Sequence, residues 1–186
     1  MRFIDTPLQG IILIELDVYE DCRGCFLELY HSDRYGIAGL SARFVQDNFA
    51  KSVYGALRGL HYQLRHPQGK LVTAMVGTIF DVVVDIRQDS SSFGQWYGVE
   101  LSAENKRQVY IPPGFAHGYC VLSETASVMY KCTDFYVPGD ERGIIWNDPE
   151  VNVSWPISAP LLSAKDQMYG TLAQTGPQLS GSAEGA

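Results

Sequence analysis

The sequence predicts an all-β sandwich or barrel. Three observations carry that expectation. Strand-like runs recur at short intervals between positions 11 and 137. Their apolar residues alternate with period two. Clusters of Gly, Pro, Asn, Asp and Ser separate them, and no long stretch has the apolar spacing of an amphipathic helix.

The chain has 186 residues, of which 46% are apolar, enough for one globular domain with a core of its own. The formal charge is −7 and the sequence pI about 5.0. An acidic chain is a poor partner for nucleic acid, where binding rests on neutralising phosphates. A local cluster of Arg and Lys still suits a small anion. No run approaches the length of a membrane span, and no secretory leader is legible, so a cytoplasmic protein is expected. Cys22 and Cys25 have C-x-x-C spacing, but Cys120 and Cys132 are too far apart for a second ligand pair. They read as free thiols in a reducing compartment.

Taken in order, 11–18 opens as a β-branched strand that ends in alternation. After an acidic turn, Phe26, Glu28 and Tyr30 share one face of the next run and Leu27 and Leu29 the other. A carboxylate between two aromatics is either a solvent face or a platform for a flat ligand. A short helix is expected over 33–40. Residues 43–49 read as a strand that turns polar at Gln46, Asp47 and Asn48, which are ordinary strand-end residues or a set of hydrogen-bonding groups. Strands follow at 71–76 and 79–87. In the second, Phe80, Val82, Val84 and Ile86 lie on one face and Asp81, Val83, Asp85 and Arg87 on the other. Further strands are read at 95–101, 108–111, 118–122, 126–133 and 134–137. From 138 the chain is irregular. Residues 171–186, rich in Gly, Ser, Gln and Ala, read as a disordered tail beyond a domain spanning 1–170.

The densest polar stretch is Arg58-Gly59-Leu60-His61-Tyr62-Gln63, followed by Lys70 just before an apolar strand. Cationic side chains next to core strands need a partner or a ligand. In a regular strand Arg58 and His61 point to opposite faces, so a shared cavity requires a bulge, and Gly59 is the place for it.

Two segments resemble the metal-binding elements of the cupin jelly roll. In the first, Gly55 and His61 have the cupin spacing, Gln63 stands where the second His belongs, and Lys70, six residues before Gly77, stands in place of the Glu. The second, Pro112-Pro113-Gly114-Phe115-Ala116-His117, keeps its His. Two of four ligands are thus replaced, one by a cation that repels a divalent metal. No metal and no cofactor are expected. A site of His, Lys, Arg and Tyr suits proton abstraction beside a carbonyl. The His takes the proton, a cation stabilises the enolate, and a phenol such as Tyr130 returns a proton from the other side.

The chain also resembles the dTDP-4-dehydrorhamnose 3,5-epimerase family of nucleotide-sugar epimerases. The resemblance runs in order from about residue 20 to 166. It is carried by Asp21 through Glu28, Gln46-Asp47-Asn48, 57–63, Gln68-Gly69-Lys70-Leu71-Val72, 77–87, 111–118, Tyr130-Lys131, Trp146-Asn147-Asp148-Pro149, Trp155-Pro156 and Ser163-Ala164-Lys165-Asp166. It implies a cupin-type jelly roll with a few short helices and an irregular C-terminal segment. It implies His61 as general base, Asp166 as the carboxylate orienting it, Lys70 facing the C4 oxygen and Tyr130 as the opposed proton donor. It further implies Arg23, Arg58 and Lys165 on the anionic nucleotide diphosphate or sugar, and Phe26 stacked on the base. Glu28, Gln46, Asp47 and Asn48 would be hydrogen-bonding partners, His117 would line the cavity with Asp81 behind it, and Glu141 would be a substrate contact. The expected substrate is a dTDP-4-keto-6-deoxyhexose epimerised at C3 and C5 in dTDP-L-rhamnose-type deoxysugar biosynthesis.

One departure is Ala50, where the family often has Ser. It keeps open a relative that inverts C3 or C5 alone. A nucleotide-sugar-binding cupin without catalysis, and a 3,4-ketoisomerase on the same barrel, are the remaining alternatives. A homodimer is expected, with the strand at 11–18 pairing to a second subunit.

Overall fold

The computed structural model describes residues 1–179. In chain order its strands are β1 (Arg2–Asp5), β2 (Ile12–Glu15), β3 (Val18–Asp21), β4 (Gly24–Leu27), β5 (Gln46–Val53), β6 (Leu57–Gln63), β7 (Lys70–Val76), β8 (Thr78–Asp85), β9 (Trp96–Ser102), β10 (Arg107–Ile111), β11 (Phe115–Val121), β12 (Thr125–Cys132) and β13 (Glu141–Gly143). Helix α1 covers Ser32–Ile37, a 3₁₀ turn Asp166–Met168, and α2 Leu172–Leu179. One antiparallel sheet runs β1-β2-β10-β7-β12-β5 and the other β13-β6-β11-β8-β9, while β3 and β4 form a separate hairpin.

The alternation in the sequence explains how these sheets pack. Val83 of β8 points between the sheets and joins Val72, Val109, Ile111, Phe115, Val121 and Val128 in a fully apolar layer. Phe80, Val82 and Val84, on the other face of the same strand, and Ile86 just beyond its end, pack outward with Ile144, Val151, Trp155 and Leu172. The outer face of the first sheet is covered by α1 and its flanks. Tyr35 is buried there against Ile14, Leu71 and Tyr110, and its hydroxyl meets Gln108 Oε1 at 2.6 Å. Each sheet is therefore covered on both sides, which fits strands that are apolar on both faces.

Residue Gly59 breaks the regularity of β6. His61 pairs with His117 of β11, while Arg58 pairs with Tyr119, so three steps on β6 match two on β11. That extra residue is a β-bulge. Gly59 sits at φ +135°, and a Cβ on it would lie 2.5 Å from Gly118 Cα, so only glycine fits.

Several expectations are corrected. The run 11–18 is not one strand: it divides after Glu15 into β2 and β3, which lie in different sheets. β2 is paired on both sides, by β1 and β10, so the free edges of its sheet are β1 and β5. Residues 134–137 form a loop, because the Gln63 side chain takes up Phe135 O and the Val137 N–H. The disordered tail expected from 171 begins instead with α2, whose Leu172 is buried and donates its N–H to Asp148 Oδ2 at 2.6 Å. The rest of that expectation, 180–186, lies outside the described residues. Among the described residues no helix is long and apolar enough to cross a membrane.

Candidate active site

At the end of the sandwich where β5, β6 and β13 lie, polar side chains replace the apolar layer between the sheets. They line a cavity of about 730 Å³. From the first sheet come Gln46, Asn48 and Ala50 of β5, Lys70 of β7 and Tyr130 of β12. From the second come Arg58, His61 and Gln63 of β6, His117 and Tyr119 of β11, and Glu141 of β13. The bulge at Gly59 lets Arg58 and His61 reach the same space.

His61 is held from outside the sheets. Its Nε2 lies 2.6 Å from Asp166 Oδ1, on a segment that crosses the cavity mouth. Leu161 anchors that segment by bridging to Ala56. Ser163 Oγ then accepts the Asp166 N–H at 3.1 Å, and Ile145 N–H bonds to Gly170 O at 2.9 Å beyond it. The Asp166 side chain is only 4% exposed. Burial pushes its carboxyl up, but the bonds and charge from His61, Ser163 and Lys165 outweigh this and hold it below the usual carboxylate range. Asp166 is thus an ionised acceptor, and the tautomer assigned to His61 from this bond carries its proton on Nε2 and a free lone pair on Nδ1.

On the other side of the imidazole, Nδ1 is 3.5 Å from Glu141 Oε1. Glu141 Oε2 accepts from Lys165 Nζ at 2.7 Å and from the Tyr136 hydroxyl at 3.0 Å. Tyr169 packs its ring against His61 at 5.7 Å between centroids. The close approach needs Gly143, where a Cβ would meet the Tyr169 ring at 2.5 Å.

Across the cavity, burial pushes the Tyr130 phenol up to about 12, so it carries its proton at neutral pH. Burial pushes the Lys70 amine below its ordinary value, partly offset by Cys132, Glu141 and Asp81. His117 is buried and bonds to Asp81 Oδ2 at 2.8 Å. Burial lowers its pKa against the opposing pull of Asp81. Arg58 donates Nε to Ser52 Oγ at 3.0 Å, which ties its guanidinium to the facing sheet.

The structure brings His61, Lys70, Tyr130, Asp166, Arg58, Gln46, Asn48, His117, Glu141 and Lys165 to one cavity. It does not bring Asp47 there. Alternation turns this residue to the outer face of β5, where Lys131 Nζ binds its carboxylate at 2.8 Å. Arg23, Phe26 and Glu28 also lie outside the cavity of their own chain. Arg23 is paired with Asp21 in the β3–β4 hairpin, Phe26 is 69% exposed, and Glu28 bonds to Arg34 at 3.0 Å. Gln63, at the place of a lost metal ligand, spends its amide on backbone: it donates to His66 O and Phe135 O and accepts from Val137 N–H. Sequence reading missed Tyr136, Tyr169 and Asp140. Asp140 accepts the N–H groups of Arg65 and His66 and so fixes the chain entering Glu141. The available signal for Tyr136 is the pattern Phe135-Tyr136 before Pro138, which in the sequence reads as a strand.

The fold is a cupin-type jelly roll, and its cavity is an acid–base pocket. The chain belongs to the dTDP-4-dehydrorhamnose 3,5-epimerase family, whose model matches residues 5–174. A dTDP-4-dehydrorhamnose 3,5-epimerase of Pseudomonas aeruginosa is 56% identical over 169 residues, 90% of this chain and 93% of its own. The crystal structure of a dTDP-6-deoxy-D-glucose-3,5-epimerase from Legionella pneumophila in complex with dTDP-4-keto-L-rhamnose superposes with a TM-score of 0.93 at 48% identity, covering 96% of each chain. A dTDP-4-dehydrorhamnose 3-epimerase of Streptomyces niveus is 40% identical over 169 residues, 90% of this chain and 82% of its own.

Proposed function

We propose that this protein inverts C3 and C5 of a dTDP-4-keto-6-deoxyhexose. The observation that carries this reading is the His61–Asp166 pair at 2.6 Å opening into the cavity that also holds Tyr130 and Lys70. With Nε2 bonded to Asp166, His61 uses Nδ1 to take a proton from a carbon beside the C4 ketone. The Lys70 ammonium stabilises the enolate oxygen in a site where little water competes. Tyr130, still protonated at neutral pH, delivers a proton to the opposite face of that carbon. Arg58 and Lys165 hold the diphosphate, with Gln46 and Asn48 as neutral hydrogen-bonding partners. His117, kept neutral by burial and bonded to Asp81, completes the floor.

Arg23, Phe26 and Glu28 reach a substrate only if a second copy of the chain presents its β3–β4 hairpin to the cavity. We therefore propose a homodimer in which each hairpin serves the other subunit, with β1 or β5 supplying the sheet edge. The four cysteines are free thiols, which suits a reducing cytoplasm.

The test is NMR of dTDP-4-keto-6-deoxyglucose in deuterated water. Deuterium entering both C3 and C5 supports double inversion, and none entering either carbon overturns the reading. The small side chain of Ala50 on the cavity wall favours a second reading, inversion at one carbon only. Deuterium at a single carbon after long incubation selects it.

A further inference from the structure

Each inversion by opposed groups leaves the site in the wrong protonation state. His61 ends as imidazolium and Tyr130 as phenolate. Before the next inversion the first must lose a proton and the second must gain one. Resting on the epimerase reading above, we infer that Glu141 is the proton exit that resets His61.

The His61 side chain is itself 22% exposed, but it lines the cavity that the substrate fills, so in the loaded site its proton leaves through a polar neighbour. Nε2 is bonded to Asp166, which is 4% exposed and enclosed by Ser163 and the crossing segment. Nδ1, the atom that receives the substrate's proton, faces Glu141 Oε1 at 3.5 Å. Catalytic contacts of this length in an empty site commonly tighten when substrate binds. The Glu141 side chain is 16% exposed, and its two bonded partners stand at the mouth, where Lys165 is 52% and Tyr136 49% exposed. Both partners bind Oε2, which leaves Oε1 turned to the imidazole.

The step is balanced. The Nδ1–H bond breaks and an O–H bond forms on Glu141, giving neutral imidazole and a carboxylic acid. Glu141 then gives the proton to water at the mouth and returns to carboxylate. Lys165 and Tyr136 favour that return, because both bind the ionised form. A residue that only gripped the sugar would not need its free oxygen aimed at the base.

The test is rapid-quench measurement of inversion by Glu141→Gln, which keeps the shape but cannot hold the proton. At saturating substrate its first inversion per site is expected to run about 100-fold faster than the steady phase that follows. Added imidazole, a small diffusible base, is expected to raise that slow phase in proportion to its concentration while leaving the wild type unchanged. Should Glu141→Gln be unfolded by circular dichroism, Glu141→Ala gives the same readout. The inference is overturned if first and later inversions slow equally, if only KM rises, or if imidazole has no effect. Wild-type protein that inverts nothing overturns the epimerase reading and this inference with it, whereas an active wild type beside a burst-free variant overturns only the relay.

Discussion

His61 and Asp166 stand 105 positions apart in the chain and 2.6 Å apart in space. The acid comes from a segment docked across the cavity mouth, and the base from a strand of the sandwich. Asp166→Asn keeps the size but favours the wrong imidazole tautomer. Turnover is expected to fall by about 100-fold or more, with little change in nucleotide affinity. Steady-state kinetics with dTDP titration calorimetry checks both parts.

Gly59→Ala forces a Cβ to within 2.5 Å of Gly118 Cα and 3.0 Å of His117 O. Both neighbours are backbone, so nothing flexible can yield. A loss of about 3 kcal/mol or more, or failure to fold, is expected. Chemical denaturation at fixed pH measures it, and wild-type stability in this variant overturns the account of the bulge.

Lys70 costs stability and is kept for chemistry. Its folded pKa lies below the ordinary 10.5. Between the two values the unfolded chain binds more protons, so stability rises with pH through that window and is penalised below it. Lys70→Met should therefore raise the melting temperature at neutral pH by about 2–5 °C. Activity should fall by about 100-fold or more. A variant that melts lower than wild type contradicts the burial argument.

Asp85, far from the cavity, is a stability element with the opposite sign. Burial raises its pKa, but bonds from Arg87, Ser90 and Ser92 outweigh it and hold the carboxyl at about 2 against 3.8. This contribution is present above 3.8 and is lost as pH falls through about 2. It amounts to about 2 kcal/mol. Asp85→Asn should unfold more easily at pH 7 and lose less stability on acidification than wild type, as urea titrations at a series of pH values would show.

If the hairpin works on the partner's cavity, two dead variants should restore each other. Arg23→Ala removes the hairpin cation and His61→Ala the base. After subunit exchange, half the dimers are mixed, and each mixed dimer carries one intact site. About a quarter of wild-type activity is then expected, by the symmetry of a two-fold dimer. No recovery in a mixture shown to exchange subunits places Arg23 and His61 in the same chain's site, or Arg23 in none.

The pattern of the chain revealed the sandwich because short apolar runs recur between turn residues and successive side chains take opposite faces of each strand. The two faces of β8 separate as the alternation requires. Alternation also held the answer for Asp47: with Gln46 and Asn48 turned inward, the residue between them must point out. Other features had no local signal. Nothing in 11–18 marks the point after Glu15 where the chain leaves one sheet for a hairpin. The run 134–137 has strand residues, but Gln63, more than 70 positions earlier, occupies the backbone groups a ladder would need. The start of α2 depends on Leu172 finding a slot under Val84 and Ile144, which a window rich in Gly, Ser and Gln does not disclose. The motifs around His61, Lys70 and His117 were legible by spacing. Tyr130 was legible as one candidate phenol among eleven tyrosines, and Asp166 only through resemblance, because their roles depend on which strands and segments meet.

The bulge at Gly59 changes parity along β6. Upstream of it the even position, Arg58, faces the cavity; downstream the odd positions His61 and Gln63 do, while Leu60 and Tyr62 join the outer core, Tyr62 also bordering the cavity. A regular ladder with every residue kept would force a choice, because positions three apart in an uninterrupted strand cannot both send a side chain inward. Removing one residue would leave the cation and the imidazole on one face but two positions apart, closer together along the wall. The extra residue at the bulge is what lets a binding cation and a base share one wall across a gap of three.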